Sequence, residues 1–142
     1  MIKVKDLNDF ATLIRSEVPG FASHLLVAHE KHAINKLKDK NGVVLMIMYP
    51  SADREGEHNQ EVDRNAIWIF VLEKDVNDQT DIQEINQFTK LQELILEIRD
   101  FVEETCVTQC SFLSRYVPSG TQVIPEYREF GEFNGWSMSL VF

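Results

Sequence analysis

The first apolar stripe of the chain has helical spacing: Leu7, Phe10, Leu13 and Ile14 follow Asp6, and Pro19-Gly20 stops the run. With Asp6 as its N-cap, this stripe predicts a helix over about residues 7–17. The next stretch, FASHLLVAHEKHAINKL, fits two periods. His24 to His29 reads as a strand, favoured as leading into a polar crossing segment that ends at Asn41-Gly42; Glu30 to Lys38 also fits a short helix. VVLMIMY (43–49) and AIWIFVLE (66–73) are unbroken apolar runs rich in β-branched and aromatic residues. Such runs belong to strands covered on both faces, so both are expected at the centre of a sheet. Between them SADREGEHNQEVDRN, from Ser51 to Asn65, carries five acids and two arginines, with Val62 its one large apolar residue. It reads as a long loop, either functional or mobile, with a solvated hairpin tip as the alternative.

After Asn77-Asp78 the pattern predicts the longest helix, over about 81–105. Its expected buried stripe is Ile82, Ile85, Phe88, Leu91, Ile95, Ile98 and Val102, widened by Leu94 and Phe101. That length spans roughly 36 Å, enough to cross a sheet face. The outer face sets Glu93, Glu97, Asp100, Glu103 and Glu104 against Lys90 and Arg99, a solvated acidic surface. QVIPEYREFGEF and NGWSMSLVF form a closing strand pair, with Gly131, Asn134 and Gly135 expected to supply positive φ for a turn or bulge. In the last strand Trp136, Met138, Leu140 and Phe142 alternate with Ser137, Ser139 and Val141. The first set is expected to face the long helix, and the strand to keep a free backbone edge for a partner. Together these elements predict a single α+β domain over 1–142. Its mixed or mostly antiparallel sheet has about five strands, packed by one long and one or two shorter helices.

Charge narrows the picture. Fourteen basic against twenty-three acidic residues give a formal charge of −9, which disfavours direct sequence-specific nucleic-acid binding. Lys31, Lys36, Lys38 and Lys40 form the one dense basic group, and Asp39 interrupts it, so it reads as a solvated lysine face. MIKVKDLNDF lacks the apolar core of a signal peptide, and no stretch is long enough to span a membrane; a cytoplasmic location is expected. Cys106 and Cys110 read as ordinary thiols, with a redox pair as the alternative.

Chemistry is sparse. His29, Glu30 and His32 invite a metal reading, but zinc-protease helices need histidines four apart, and on a strand residues three apart point to opposite faces. No serine elbow or phosphate-binding glycine loop occurs, and Glu103 and Glu104 diverge on a helix. No cofactor and no small-molecule substrate are expected. Tyr127, Phe130, Phe133 and Trp136 crowd the end of the chain beside Glu126, Arg128, Glu129 and Glu132. They read either as core against the long helix or as an aromatic interface rimmed by charge. Asp53, Glu55, Glu57, Glu61 and Asp63 are the candidate residues of a loop facing a partner or a lumen.

The layout from Asp6 to Phe142, ending on NGWSMSLVF, resembles the small tail-terminator or tail-completion proteins of bacteriophages and prophages. The resemblance implies a non-enzymatic subunit that forms homo-oligomeric rings, closes the tail tube and meets a head-completion protein. It also implies that neighbours pack through sheet edges and that an acidic hairpin loop faces a lumen through which DNA passes. A small adaptor that binds another protein is the second reading, and an enzyme or metal protein built on His29, Glu30 and His32 the third.

Overall fold

The computed structural model describes residues 1–55, 62–106 and 112–142. Three helices, α1 (Val4–Glu17), α2 (Glu30–Leu37) and α3 (Asp81–Cys106), flank one six-stranded sheet. Its strands are β1 (Ser23–Val27), β2 (Val43–Met48), β3 (Ser51–Glu55), β4 (Val62–Lys74), β5 (Gln122–Tyr127) and β6 (Phe133–Val141). They run in the order β1-β2-β4-β6-β5, with β3 also paired to β4. Only β1 and β2 are parallel. This is the predicted α+β class with one long and two shorter helices.

The sixth strand comes from the stretch read as a loop. Ser51 to Glu55 pair with Ala66 to Val62, so the two ends of that stretch are the legs of a hairpin and β4 is longer than its apolar run suggested. Between the pairs Ile47↔Ile69 and Ser51↔Ala66 one strand advances four residues while β4 advances three. One extra residue is therefore accommodated around Tyr49-Pro50, where proline has no N–H to give a ladder. The register sets Asp53 opposite Arg64 and Arg54 opposite Asp63, an alternation of charge that suits a solvated hairpin and that period-two apolar patterning cannot detect.

Two further expectations are corrected. The segment after β1 is helical: His29 caps α2, which buries Ala33 and Leu37. Helix α1 begins at Val4 with Lys3 at the cap and no side-chain cap bond, which places Asp6 in the first turn, where a negative charge favours the helix dipole.

One face of the sheet carries Leu45, Ile47, Ile67, Ile69, Val71, Met138, Leu140 and Phe142. α1 covers it with Leu7, Phe10 and Ile14, and α3 with Leu91, Ile95, Ile98 and Val102. Phe112 stacks edge-on between Phe10 and Phe142, at 5.5 and 5.2 Å. The opposite face carries Val44, Met46, Phe70, Leu72 and Phe133, covered by α2 and by Phe130. As predicted, Met138, Leu140 and Phe142 face α3 and Trp136 packs half-buried beside them. β6 has no free edge, however: β4 lies on one side and β5 on the other, and Phe142 exchanges both backbone bonds with Asn65. The buried Asn65 also accepts from the Ile2 N–H at 2.9 Å, tying both ends of the sequence to one residue.

Ile82 and Ile85 do not join the buried stripe; they are 72% and 63% exposed. Each step of three residues falls about 60° short of a full turn, so the three steps from Ile82 to Leu91 rotate the stripe by about 180°. Ile82 therefore points away from the sheet. The helix is instead started by a reciprocal cap, in which the Thr80 N–H donates to Gln83 Oε1 and the Gln83 N–H to Thr80 Oγ1.

Gly131 has positive φ as expected (78°), together with Arg128 (52°) in the same turn. Gly135 serves a different need: a Cβ there would overlap the Val71 carbonyl oxygen of β4. Gly135→Ala is therefore expected to cost at least about 3 kcal/mol, because backbone rather than a flexible side chain must yield. Gly131→Ala, with nothing near its missing Cβ, is expected to cost only about 1–2 kcal/mol from its left-handed φ. Urea unfolding of both variants measures the contrast, and equal losses would contradict it.

His24 links β1 to α1. Arg15 donates to its Nδ1 at 3.2 Å, so Nε2 carries the proton and donates to Asn8 Oδ1 at 3.3 Å. Burial, and secondarily the Arg15 charge, hold its pKa below the ordinary value of 6.5. The unfolded chain thus binds the proton more readily, so this contribution is present above pH 6.5 and is lost as pH falls toward the folded value. Replacing His24 with glutamine is expected to flatten the fall in melting temperature on mild acidification, and an unchanged slope would exclude His24 as its source.

Candidate functional site

The end of the molecule near the β5–β6 turn is built from a polar network. Asn134 is fully buried; its Oδ1 accepts the Arg128 N–H at 3.1 Å and its Nδ2 donates to Gln87 Oε1 at 3.3 Å. Gln87 in turn donates to Glu73 Oε1 and to the Lys74 carbonyl, and Lys90 pairs with the same Glu73 at 2.6 Å. Arg128 binds Asp75 at 2.8 Å, and that hydrogen bond and charge hold its guanidinium still more firmly protonated. This network fastens α3 to the end of the sheet through groups that would be costly to bury unpaired. Arg128, Asp75 and Tyr127 also line an open, polar depression with Val76, Asp78 and Glu84.

The four aromatic candidates are not brought together. Tyr127 is 62% exposed, with the Arg128 guanidinium 6.0 Å from its ring centre. Phe130 and Phe133 are buried on the α2 side of the sheet. Trp136 is on the opposite side, where its Nε1 donates to the Phe88 carbonyl at 2.9 Å and its ring meets Phe88 edge-on. Strand alternation separates Phe133 from Trp136, an effect that clustering along the sequence conceals.

Of the candidate loop residues, Asp53 is exposed on β3, and Glu55 and Asp63 occupy strand positions near the hairpin's far end. Glu57 and Glu61 lie outside the described residues, as do His58 and Cys110. β6 reaches β4 only as far as Val141↔Ala66, with Phe142 bonded to Asn65, so residues 62–64 and their partners in β3 extend beyond the last strand on that side.

His29 and His32 form a local cap. His29 Nδ1 accepts the His32 N–H at 3.4 Å, and His32 Nδ1 accepts the Ala28 N–H at 3.1 Å. Both δ nitrogens are thereby engaged by backbone, and among the described residues no three His, Cys, Asp or Glu side chains converge.

A surface that the sequence reading missed lies on the α2 side. Met48, Trp68, Phe70 and Phe130 line a depression of about 330 Å³ with Glu30, Glu126 and Glu129. Trp68 stacks on Phe70 at 6.4 Å, and Phe70 meets Phe130 edge-on at 5.0 Å. α2 covers the β1–β2 side of this face, while beyond Phe133 β6 places the small residues Gly135, Ser137 and Ser139 opposite Leu72, Phe70 and Trp68, leaving a trough. Ser137 Oγ donates to Glu126 Oε1 at 2.6 Å. Even so, burial first and the Glu129 charge second raise the Glu126 pKa above the ordinary carboxyl value. The available signal was the alternation around Trp68, masked because AIWIFVLE is apolar at every position but the last.

No protein-family description matches the chain, and no curated protein is significantly similar to it in sequence. No described helix is long and apolar enough to cross a membrane.

The cap geometry makes a direct prediction. His29→Ala is expected to cost about 1 kcal/mol by freeing the His32 N–H, and His29→Asp to restore it, since aspartate is a preferred N-cap. Thermal melts with and without added zinc test this; stabilisation by zinc that disappears in His29→Asp would show that the histidines serve a metal instead.

Proposed function

We propose that this chain is a non-enzymatic structural subunit that assembles with copies of itself, in the manner of the phage tail-terminator proteins its layout resembles. The observation that carries the reading is the uncovered apolar start of α3. Single exposed apolar residues are ordinary, but Ile82 and Ile85 lie one turn apart on the same stretch of helix surface, with no described element over them. An apolar surface of this kind on a stable helix suits a subunit contact. The hairpin of β3 and β4 supports the same reading: among the described residues it extends past the last pair of β4 with β6, a projection that suits contact with a neighbour. In a closed ring such hairpins would converge, and a net charge of −9 per subunit would keep DNA passing through the channel from sticking to its wall. A small adaptor is the alternative, distinguished by oligomeric size.

Ile82→Glu combined with Ile85→Glu is the test. The wild-type chain is expected to sediment as a closed homo-oligomer and the double variant as a monomer that melts at nearly the same temperature, because neither side chain contributes to the core. A wild-type chain that remains monomeric at high micromolar concentration would overturn the reading in favour of the adaptor.

A further inference from the structure

The trough on the α2 side combines two features that recognise positive charge. Its floor presents the partly exposed indole of Trp68, whose face attracts cations, over the buried rings of Phe70 and Phe130. Its rim presents the carboxylates of Glu30, Glu126 and Glu129. Among the described residues, no lysine or arginine pairs with any of the three, although ion pairs form elsewhere on the protein at Glu73, Asp75, Asp100 and Glu132. We propose that this trough is a docking site for an arginine side chain presented by a basic partner protein.

The chemistry selects arginine over other cations. A planar guanidinium can lie flat on an indole while its N–H fork reaches a carboxylate beside the ring, whereas an ammonium is a compact, strongly hydrated point charge. Glu126 stands beside the trough with one oxygen already fixed by Ser137 and with a carboxyl that burial disfavours as an anion; an arriving cation would relieve that cost. The trough is open to solvent along one side, which suits a side chain carried on another protein better than a small molecule enclosed on most of its surface. The net charge of −9 also steers a basic partner toward the protein. The proposal does not depend on the self-assembly reading, because Ile82 and Ile85 are no part of the trough.

The test uses the intact protein and an acetylated, amidated tetra-arginine peptide, titrated calorimetrically at low salt against a tetra-citrulline control of nearly the same shape. Saturable binding of the arginine peptide is expected, with none from citrulline. Glu126→Gln with Glu129→Gln should weaken it at least about tenfold through loss of charge-assisted hydrogen bonds. Glu93→Gln with Glu97→Gln removes the same charge from the exposed face of α3 and should change affinity by less than about twofold. Both pairs include no fully buried residue, so folding is not at stake, and Trp68→Leu with a melting check tests the floor. Equal weakening by both glutamine pairs would mean general attraction to an acidic protein and would overturn the proposal. So would equal binding of citrulline, or no saturation up to about 1 mM. If Trp68→Leu changes the oligomeric state while peptide binding persists, a second copy occupies the trough, and the proposal also fails.

Discussion

The ladder between β4 and β6 is the constraint on which the rest of the molecule depends. Nine residue pairs run from Ala66↔Val141 to Lys74↔Phe133, and every other layer is placed by them. β4 uses its other edge for β2 and β3, β6 uses its other edge for β5, and the side chains of both strands supply the centre of each core cluster. At Gly135 the β6 backbone and the Val71 carbonyl come so close that only a residue without a Cβ fits. Immediately beside it, Asn134 replaces apolar packing with hydrogen bonds that reach α3 and the β5–β6 turn. The ladder thus fixes register in two ways, by excluding side-chain volume at one position and by requiring a specific polar group at the next.

The parts of the fold that were legible in the sequence are those where one period dominates. The two apolar runs became β2 and the inner part of β4, and the alternation from Trp136 to Phe142 placed three side chains under α3. Legibility failed wherever burial and secondary structure are decoupled. The hairpin legs at Ser51–Glu55 and the start of β4 are strands held by backbone pairing, with Ser51 to Arg54 and Arg64 exposed, so their composition is that of a loop. α2 is only eight residues long and is capped by a histidine, an uncommon cap residue, so its start carried little signal. The candidate site suffered from the same limit: aromatic residues close in sequence lie on opposite faces of β6, while Met48 of β2, Trp68 of β4 and Phe130 of the β5–β6 turn line one trough though far apart in sequence.

The lengths of the elements explain where apolar surface remains open. The 26 residues of α3 extend about 39 Å, whereas the nine residues of β6 beneath it extend about 30 Å. Gln87 bonds to Asn134 at the start of β6, and Phe112, just past the other end of the helix, stacks on Phe142 at its close. The excess therefore falls on the turns before Gln87, which have no strand to cover. There the helix is held by its Thr80–Gln83 cap rather than by packing, and residues Ile82 and Ile85 are free of the core's demands.

The two faces of the sheet differ for a related reason. α1 and α3 together close one face, while α2, at eight residues, spans only about 12 Å and closes just the β1–β2 side of the other. Beyond the buried Phe133, β6 lines what remains with Gly135, Ser137 and Ser139, so the face stays open at modest cost in exposed hydrophobic area. The Trp68 ring is stacked on Phe70, so its orientation is set before any partner arrives. Preorganisation of this kind lowers the entropy lost on binding, which favours a trough whose aromatic floor is part of the folded sheet over one assembled from loops.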